Sequence, residues 1–293
     1  MQVKPSGTLD EYLAPVTIEE AARALADGRA SVLAGGTDLM LQAANGRTPY
    51  RGRLVNIRRI AELRGAAITG GRVRIGALTT VTDILNHAEL AKAVPVLRQT
   101  ADKFASNQIR NMATIGGNIC NASPAGDMII PLLALEAEVE LASWDGAKIR
   151  TREVALEKFF TGPGRTVMER GELLTAVSFA VPEAGHRVRF AKSGPRPALE
   201  ISTVSAAFAA TCKDGVTTNV RIVLGAVAPT PIRARSAEAL MEGAECSGDL
   251  AARAAKAAAG EISPIDDVRA SAWYRTHLTE VFVRRLIEDV CHG

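Results

Sequence analysis

The sequence predicts a two-domain α+β protein, and three observations carry that prediction. The chain has 293 residues, 47% of them hydrophobic, enough to bury one large core or two ordinary ones. A turn-rich stretch ending near Pro182 separates two differently patterned halves. In the second half, long strand-like runs come first and helical runs follow, the order of an α+β unit rather than of a parallel α/β sheet.

Composition narrows the function. Against 32 Asp+Glu stand 35 Lys+Arg, a formal net charge of only +3, which argues against a dedicated nucleic-acid binder. Aromatic residues make up 4%, few for a single-strand stacking platform. No run approaches the roughly 18 apolar residues that span a membrane. The opening MQVKPSGTLDEYLAP lacks an apolar signal region, so a soluble, cytoplasmic protein is expected. Cys120, Cys212, Cys246 and Cys291 show no CxxC pair and no zinc or iron–sulfur spacing. Reduced thiols and no metal cluster on this chain are the expectation.

The elements follow in order. VTIEEAARALADG reads as a helix with Thr17 as N-cap, Glu20 three residues on and Gly28 at its stop. SVLAGG is a short strand running into paired glycines; TDLMLQAANG is a helix that Thr37 could cap and Gly46 could end. RLVNI and RVRIGALTTV read as strands, with Gly70-Gly71 as the turn before the second. VTDILNHAELAKAVPVLRQTADKFAS is helical, interrupted near Pro95. A polar, glycine-rich stretch, NQIRNMATIGGNICNASPAGD, leads to the apolar helix MIIPLLALEA. AEVELAS and AKIRTREV are strands joined by an Asp145-Gly146 turn, and LLTAVSFAV is one more. Beyond Pro182, RVRFAKSG, STVSAAFAATC and TNVRIVLGAVAP are long strands. SAEALMEG, DLAARAAKAAAGEI and SAWYRTHLTEVFVRRLIEDV are helices.

Two glycine pairs carry the candidate chemistry: Ala34-Gly35-Gly36-Thr37-Asp38 and Thr114-Ile115-Gly116-Gly117-Asn118. Paired glycines permit positive φ and let backbone amides approach a ligand. Such amides beside a helix start suit a phosphate, and Thr37 and Asn118 add side-chain donors. Two such loops, about eighty residues apart, could clamp the phosphates of a dinucleotide; each could equally make only a tight turn. No GxGxxG, GxxxxGK[ST], GxSxG or HExxH is present. His87, His186, His277 and His292 are scattered and read as surface or structural residues. Cys120, inside the second glycine stretch, reads as a small buried residue.

LAGGTDLM, with IRNMATIGGNICNASPAGD, closely resembles the FAD-binding (medium) subunit of the molybdenum hydroxylases, the xanthine dehydrogenase and carbon monoxide dehydrogenase family. GELLTAVSFAVP, GAVAPTPIRA and ISPIDDVRASAWYR resemble that family too, in the same order, so the likeness spans nearly the whole chain. It implies a two-subdomain FAD-binding domain of the vanillyl-alcohol-oxidase (PCMH) type over residues 1–180 and an α+β C-terminal domain over 181–293. It implies that Val32, Leu33, Ala34, Gly35, Gly36, Thr37, Asp38 and Leu39 cradle the pyrophosphate. Thr114, Ile115, Gly116, Gly117 and Asn118 close from the other side, with Asn121 beyond them. Phe104 falls where an aromatic packs near the flavin, Asp127 closes the SPxxD motif, and Leu174 and Lys192 line the ring.

Read from the residues alone, Asp127 could instead cap the next helix, Lys192 could be solvated and Phe104 could be core. Arg110 could pair with phosphate or face solvent. The resemblance also implies an iron–sulfur small subunit with [2Fe–2S] clusters and a large subunit with the molybdenum cofactor, in a dimer of heterotrimers. Electrons would pass from [2Fe–2S] through FAD on this chain to NAD⁺ or another acceptor, with no catalytic side chain required. The cysteine-rich insertion of the subfamily acting on aromatic acyl-CoA thioesters is missing. A free-standing FAD oxidoreductase and a flavin-free assembly or nucleotide-binding protein are the two rival readings.

Overall fold

The computed structural model describes residues 9–46, 52–194 and 201–292. Three helix-covered sheets follow one another along the chain. The first is parallel, in the order β1–β3–β2, from β1 (Glu11–Leu13), β2 (Ala30–Leu33) and β3 (Arg53–Asn56). Parallel strands need crossovers, and helix α1 (Ile18–Leu25) makes the one from β1 to β2, the two strands that flank β3. The Thr17 hydroxyl accepts the Glu20 amide at 3.1 Å, as the capping pattern predicts. Ala21 and Leu25 of α1 then bury against Val55, Ile57 and Leu78. Helix α2 (Leu39–Ala44) departs from expectation: Asp38, not Thr37, stands at its N-cap, and no side chain caps it.

The second sheet is antiparallel and ordered β4–β5–β10–β6–β7. Its strands are β4 (Ala66–Thr69), β5 (Arg72–Gly76), β6 (Glu138–Trp144), β7 (Ile149–Ala155) and, after a small ribbon of β8 (Phe160–Gly162) and β9 (Arg165–Thr166), β10 (Leu173–Ala180). β5 ends at Gly76 rather than running on through Val81. There Thr80 and Asp83 form a reciprocal capping box, which starts helix α3 (Val81–Asn86). The helical stretch predicted with one break has two: α3, α4 (Ala88–Ala93) and α5 (Pro95–Asp102). His87 makes the extra break, its Nδ1 accepting the Leu90 amide at 3.2 Å. Short helices α6 (Asn107–Arg110), α7 (Ile115–Cys120) and α8 (Ile129–Ala134) complete this layer.

The third sheet is antiparallel, in the order β11 (His186–Ser193), β12 (Val204–Lys213), β13 (Val216–Gly225), β14 (Ile232–Arg233). Helices α9 (Arg235–Met241), α10 (Gly248–Gly260) and α11 (Ala272–His292) cover it, the predicted strands-then-helices order. β12 is buried on both faces, which explains its nearly continuous run of small apolar residues. Val204, Ala206, Phe208 and Ala210 join a core with α10 and α11. Ala207 and Ala209, on the opposite face, join a core with Ile75, Val139 and Leu174 of the second sheet. Ion pairs span the same junction, with Glu136 taking Arg221 at 2.6 Å and Arg233 at 3.5 Å. No helix among the described residues is long and apolar enough to cross a membrane.

Candidate functional site

The first glycine loop leaves the end of β2. A Cβ on Gly35 would lie 1.9 Å from the Met112 carbonyl oxygen, so only glycine lets this loop rest on the segment preceding Thr114. That contact brings the two glycine stretches together across almost eighty residues of sequence. Gly36 has φ +75°, a conformation that glycine adopts without strain. Among the described residues, the amides of Gly35, Gly36, Thr37, Asp38 and Leu39 have no hydrogen-bond acceptor. Unpaired amides in succession, half-open to solvent and including a left-handed glycine, form an anion-binding concavity. Val32 and Leu33 lie in β2 beneath it, and Ala34 begins the turn.

The second glycine stretch works differently from the expected second clamp. It is the first turn of α7, with Thr114 as N-cap accepting the Gly117 amide at 3.1 Å. The Ile115 amide donates to the Thr79 carbonyl at 3.0 Å, Gly116 to Ala77 at 2.9 Å and Asn118 to Thr114 at 2.9 Å. Every amide from Ile115 to Asn118 therefore has a protein acceptor, and none is left for a phosphate. Gly116 is a packing glycine, since a Cβ there would sit 2.7 Å from the Ala77 Cβ. What this turn offers a ligand is the exposed, side-chain-free surface of Gly117 and the Asn118 side chain, whose Oδ1 is buried without a partner. An orphaned buried acceptor calls for a donor that the protein alone does not supply. Asn121 is half-buried at the C-cap of α7, and Cys120 is exposed rather than buried, its thiol 3.7 Å from Met168 Sδ.

Phe104 lies in the turn between α5 and α6, half-buried against the core that holds Ile115, Ile119 and Leu174. Arg110, which the sequence left between phosphate and solvent, is turned onto the protein's own backbone. Its guanidinium donates to the carbonyls of Asp102 at 3.1 Å, Phe104 at 2.7 Å and Ala105 at 3.0 Å. It staples the turn that presents Phe104, and in that turn Ala105 holds φ +35°.

Asp127 is no helix cap, because Met128 occupies the N-cap of α8. Its carboxylate instead pairs with Lys192 at 2.5 Å and accepts the Ser202 hydroxyl at 2.5 Å. Burial pushes the Asp127 carboxyl up, countered by the Lys192 ammonium and the Ser202 hydroxyl. Lys192 is thus a half-buried, paired lysine, not a solvated one. Sequence reading missed Ser202, which lies 75 residues from Asp127 and carries no motif. Leu174 is 2% exposed in β10, in the shared core.

Two other family-like motifs prove to be packing devices. Arg275, 4% exposed, donates to the Thr203 and Ala226 carbonyls, each at 2.7 Å, and to Asp267 at 2.8 Å. The Ala226 amide donates to the Pro124 carbonyl at 2.7 Å, tying the end of β13 to the turn before Asp127. Hollows of about 590 Å³ beside Asp10 and Arg53 and about 550 Å³ beside Glu19 and Glu140 lie away from both glycine stretches. Among the described residues no group of three His, Cys, Asp or Glu side chains could hold a metal ion.

Fold and site together define an α+β subunit with one loop of unpaired backbone amides, a concavity suited to an anion. Comparison with known proteins makes this specific. Residues 6–183 match the family described as FAD binding domain in molybdopterin dehydrogenase, and residues 189–290 match the CO dehydrogenase flavoprotein C-terminal domain. The chain is 33% identical over 282 residues to the xanthine dehydrogenase FAD-binding subunit of Escherichia coli O157:H7, covering 95% of this chain and 94% of that one. It is 34% identical over 285 residues to the carbon monoxide dehydrogenase medium chain of Afipia carboxidovorans, covering 97% and 94%. Reconstituted CO dehydrogenase from Oligotropha carboxidovorans superposes with a TM-score of 0.91 at 33% identity, 98% of each chain covered. Quinoline 2-oxidoreductase from Pseudomonas putida 86 gives 0.88 at 28% identity, with 97% of each covered. The chain belongs to the FAD-binding subunit family of the molybdenum hydroxylases, and it is an oxidoreductase subunit.

Proposed function

We propose that this chain holds FAD across the two glycine stretches and relays electrons between an iron–sulfur partner and a terminal acceptor. The observation that carries the reading is the run of unpaired amides from Gly35 to Leu39 laid against the turn before Thr114. Those amides would bind the pyrophosphate oxygens, and the bare surface of Gly117 would let the cofactor approach α7. Asn118 Oδ1 would accept a hydrogen bond from the ribose or the flavin edge. Phe104 would pack against the ring, with Leu174 buried in the core behind it, and the Asp127–Lys192 pair would set the charge beside it. Bound FAD would take electrons singly from [2Fe–2S] clusters and release them in pairs to NAD⁺ or another acceptor. The chain's own work is to orient, to exclude water and to hold charge, and no acid–base side chain is needed.

The partners of this reading are an iron–sulfur small subunit and a molybdenum-cofactor large subunit, in a dimer of heterotrimers. The division into residues 1–180 and 181–293 belongs to the same proposal, although a buried core runs across it. The test is a visible spectrum of the purified chain, with the flavin released by heat and identified. One equivalent of non-covalent FAD is expected. No flavin, even after FAD is added to the folded chain, would overturn a site complete within this subunit.

A further inference from the structure

Ser202 lies just before β12 at 1% exposure, and its hydroxyl donates to Asp127 Oδ1 at 2.5 Å. The other carboxylate oxygen, Oδ2, takes the Lys192 ammonium at 2.5 Å. Among the described residues the carboxylate has no further partner. Each oxygen therefore serves one donor, and the hydroxyl fixes the rotation of the carboxylate that meets the lysine. The backbone around Ser202 is itself pinned. The Thr203 amide donates to the Ser193 carbonyl at 2.7 Å, and the Thr203 carbonyl accepts the Arg275 guanidinium at 2.7 Å. Arg275 also holds the Ala226 carbonyl, and the Ala226 amide donates to the Pro124 carbonyl in the turn before Asp127. One buried guanidinium thus steadies both ends of the Ser202–Asp127 hydrogen bond, across 75 residues of sequence.

We propose that Ser202 is a positioning residue for the flavin: it holds the Asp127 carboxylate, and through it the Lys192 ammonium, beside the ring, and so tunes the potential of bound FAD. The inference rests on the proposed function, which puts the Asp127–Lys192 pair next to the ring. Charge beside a flavin tunes its electronics. Reduction adds negative charge to the ring, which an ammonium stabilises and a carboxylate opposes. A hydrogen bond from a hydroxyl disperses part of the carboxylate's charge, and hydrogen bonds to ionised groups are the strong ones. Asp127 is 5% exposed, so little water can replace the hydroxyl. Without it the carboxylate offsets the ammonium more fully, and the reduced flavin loses stabilisation. Removing the hydroxyl therefore lowers the potential. Loss of packing alone would weaken the binding of oxidised and reduced FAD alike. Their ratio, which is what the potential reads, would then stay where it is.

The test is the midpoint potential of FAD bound to the full-length chain, titrated at neutral pH against a reference dye. In Ser202→Ala the affinity ratio of reduced to oxidised FAD should fall at least about tenfold, which is about 30 mV for a two-electron couple. Ser202→Cys, close to serine in shape but a weak donor, should shift in the same direction, so the result does not hang on one variant's folding. In an Asp127→Asn background, which has no carboxylate to position, adding Ser202→Ala should change the ratio less than about twofold. An unchanged or raised potential in both serine variants, or a full shift in the Asp127→Asn background, would overturn the inference and leave the proposed function standing. A wild-type chain that takes up no FAD would overturn both.

Discussion

Asp127 and Lys192 meet as an ion pair at side-chain exposures of 6% and 10%, joining the turn before α8 to β11. A pair this buried is expensive to break, because removing one member leaves the other charged in a low-dielectric site. Asp127→Asn is expected to destabilise the chain by about 3 kcal/mol. In a double-mutant cycle with Lys192→Met, the coupling should be at least about 1.5 kcal/mol. Urea unfolding of the four proteins measures both, and a coupling near zero would show that water screens the pair.

Gly35 and Gly117 should separate the two halves of the proposed cofactor site. Gly35→Ala drives a Cβ into the Met112 carbonyl, so the amide loop must move away from α7. Gly117→Val instead puts bulk on an exposed surface, its Cβ 2.9 Å from Thr114 Oγ1, so the α7 cap must yield slightly. Both variants should lose at least about nine-tenths of their flavin, roughly 1.4 kcal/mol of binding or more at subsaturating FAD. Gly117→Val should retain the wild-type circular dichroism spectrum. Full flavin content in a folded Gly117→Val chain would remove α7 from the site.

Arg110 touches no phosphate in this reading; it holds the turn that presents Phe104. Arg110→Ala should therefore weaken FAD retention several-fold while costing about 1 kcal/mol of global stability, the scale of hydrogen bonds lost at a partly exposed site. Raising the salt concentration should change FAD affinity equally in wild type and variant. A steeper salt dependence in the wild type would instead mark Arg110 as a direct phosphate contact.

Arg275 connects the start of α11 to the carbonyls of Thr203 and Ala226. Arg275→Met leaves the Thr203 and Ala226 carbonyls without that donor, while Asp267 keeps the Arg269 and Ala270 amides. The expected cost is about 3–5 kcal/mol, read as a fall in the urea midpoint. A loss below about 1 kcal/mol would mean that these carbonyls are satisfied otherwise.

Asp267 supplies the pH dependence. Desolvation raises its carboxyl, but the Arg269 and Ala270 amides and the Arg275 guanidinium outweigh that and hold it at about 2, against an ordinary 3.8. The folded chain binds this proton less readily than the unfolded chain. The stabilisation is therefore complete above the ordinary value and lost as pH falls through about 2. Asp267→Asn should lower Tm at pH 7 and approach the wild-type Tm as pH falls toward 2. A gap unchanged with pH would exclude an ionised Asp267 as its source.

Much of the fold was legible because local patterns and tertiary packing agree. Thr17 followed by Glu20 predicted the α1 cap, and Asp145-Gly146 predicted the turn joining β6 to β7. The strands β1 and β4 went unread, since three or four residues with partly exposed side chains leave no clear alternation. The site was half legible. Paired glycines marked both stretches, but they look alike in sequence whether their amides are open, as at Gly36, or taken up by neighbours, as at Gly116.

By itself the sequence determined the order of the longer strands and helices, the glycines at 35 and 116 without which their segments could not pack, and the likeness to a flavin-binding family. Only the tertiary structure decided which amides stay unpaired, because their acceptors come from distant residues such as Thr79 and Ala77. It also decided that Asp127 faces Lys192 and Ser202 rather than a helix end. Hydrogen bonds and ion pairs are satisfied by whatever the fold brings within about 3 Å, and separation along the chain carries no record of that distance.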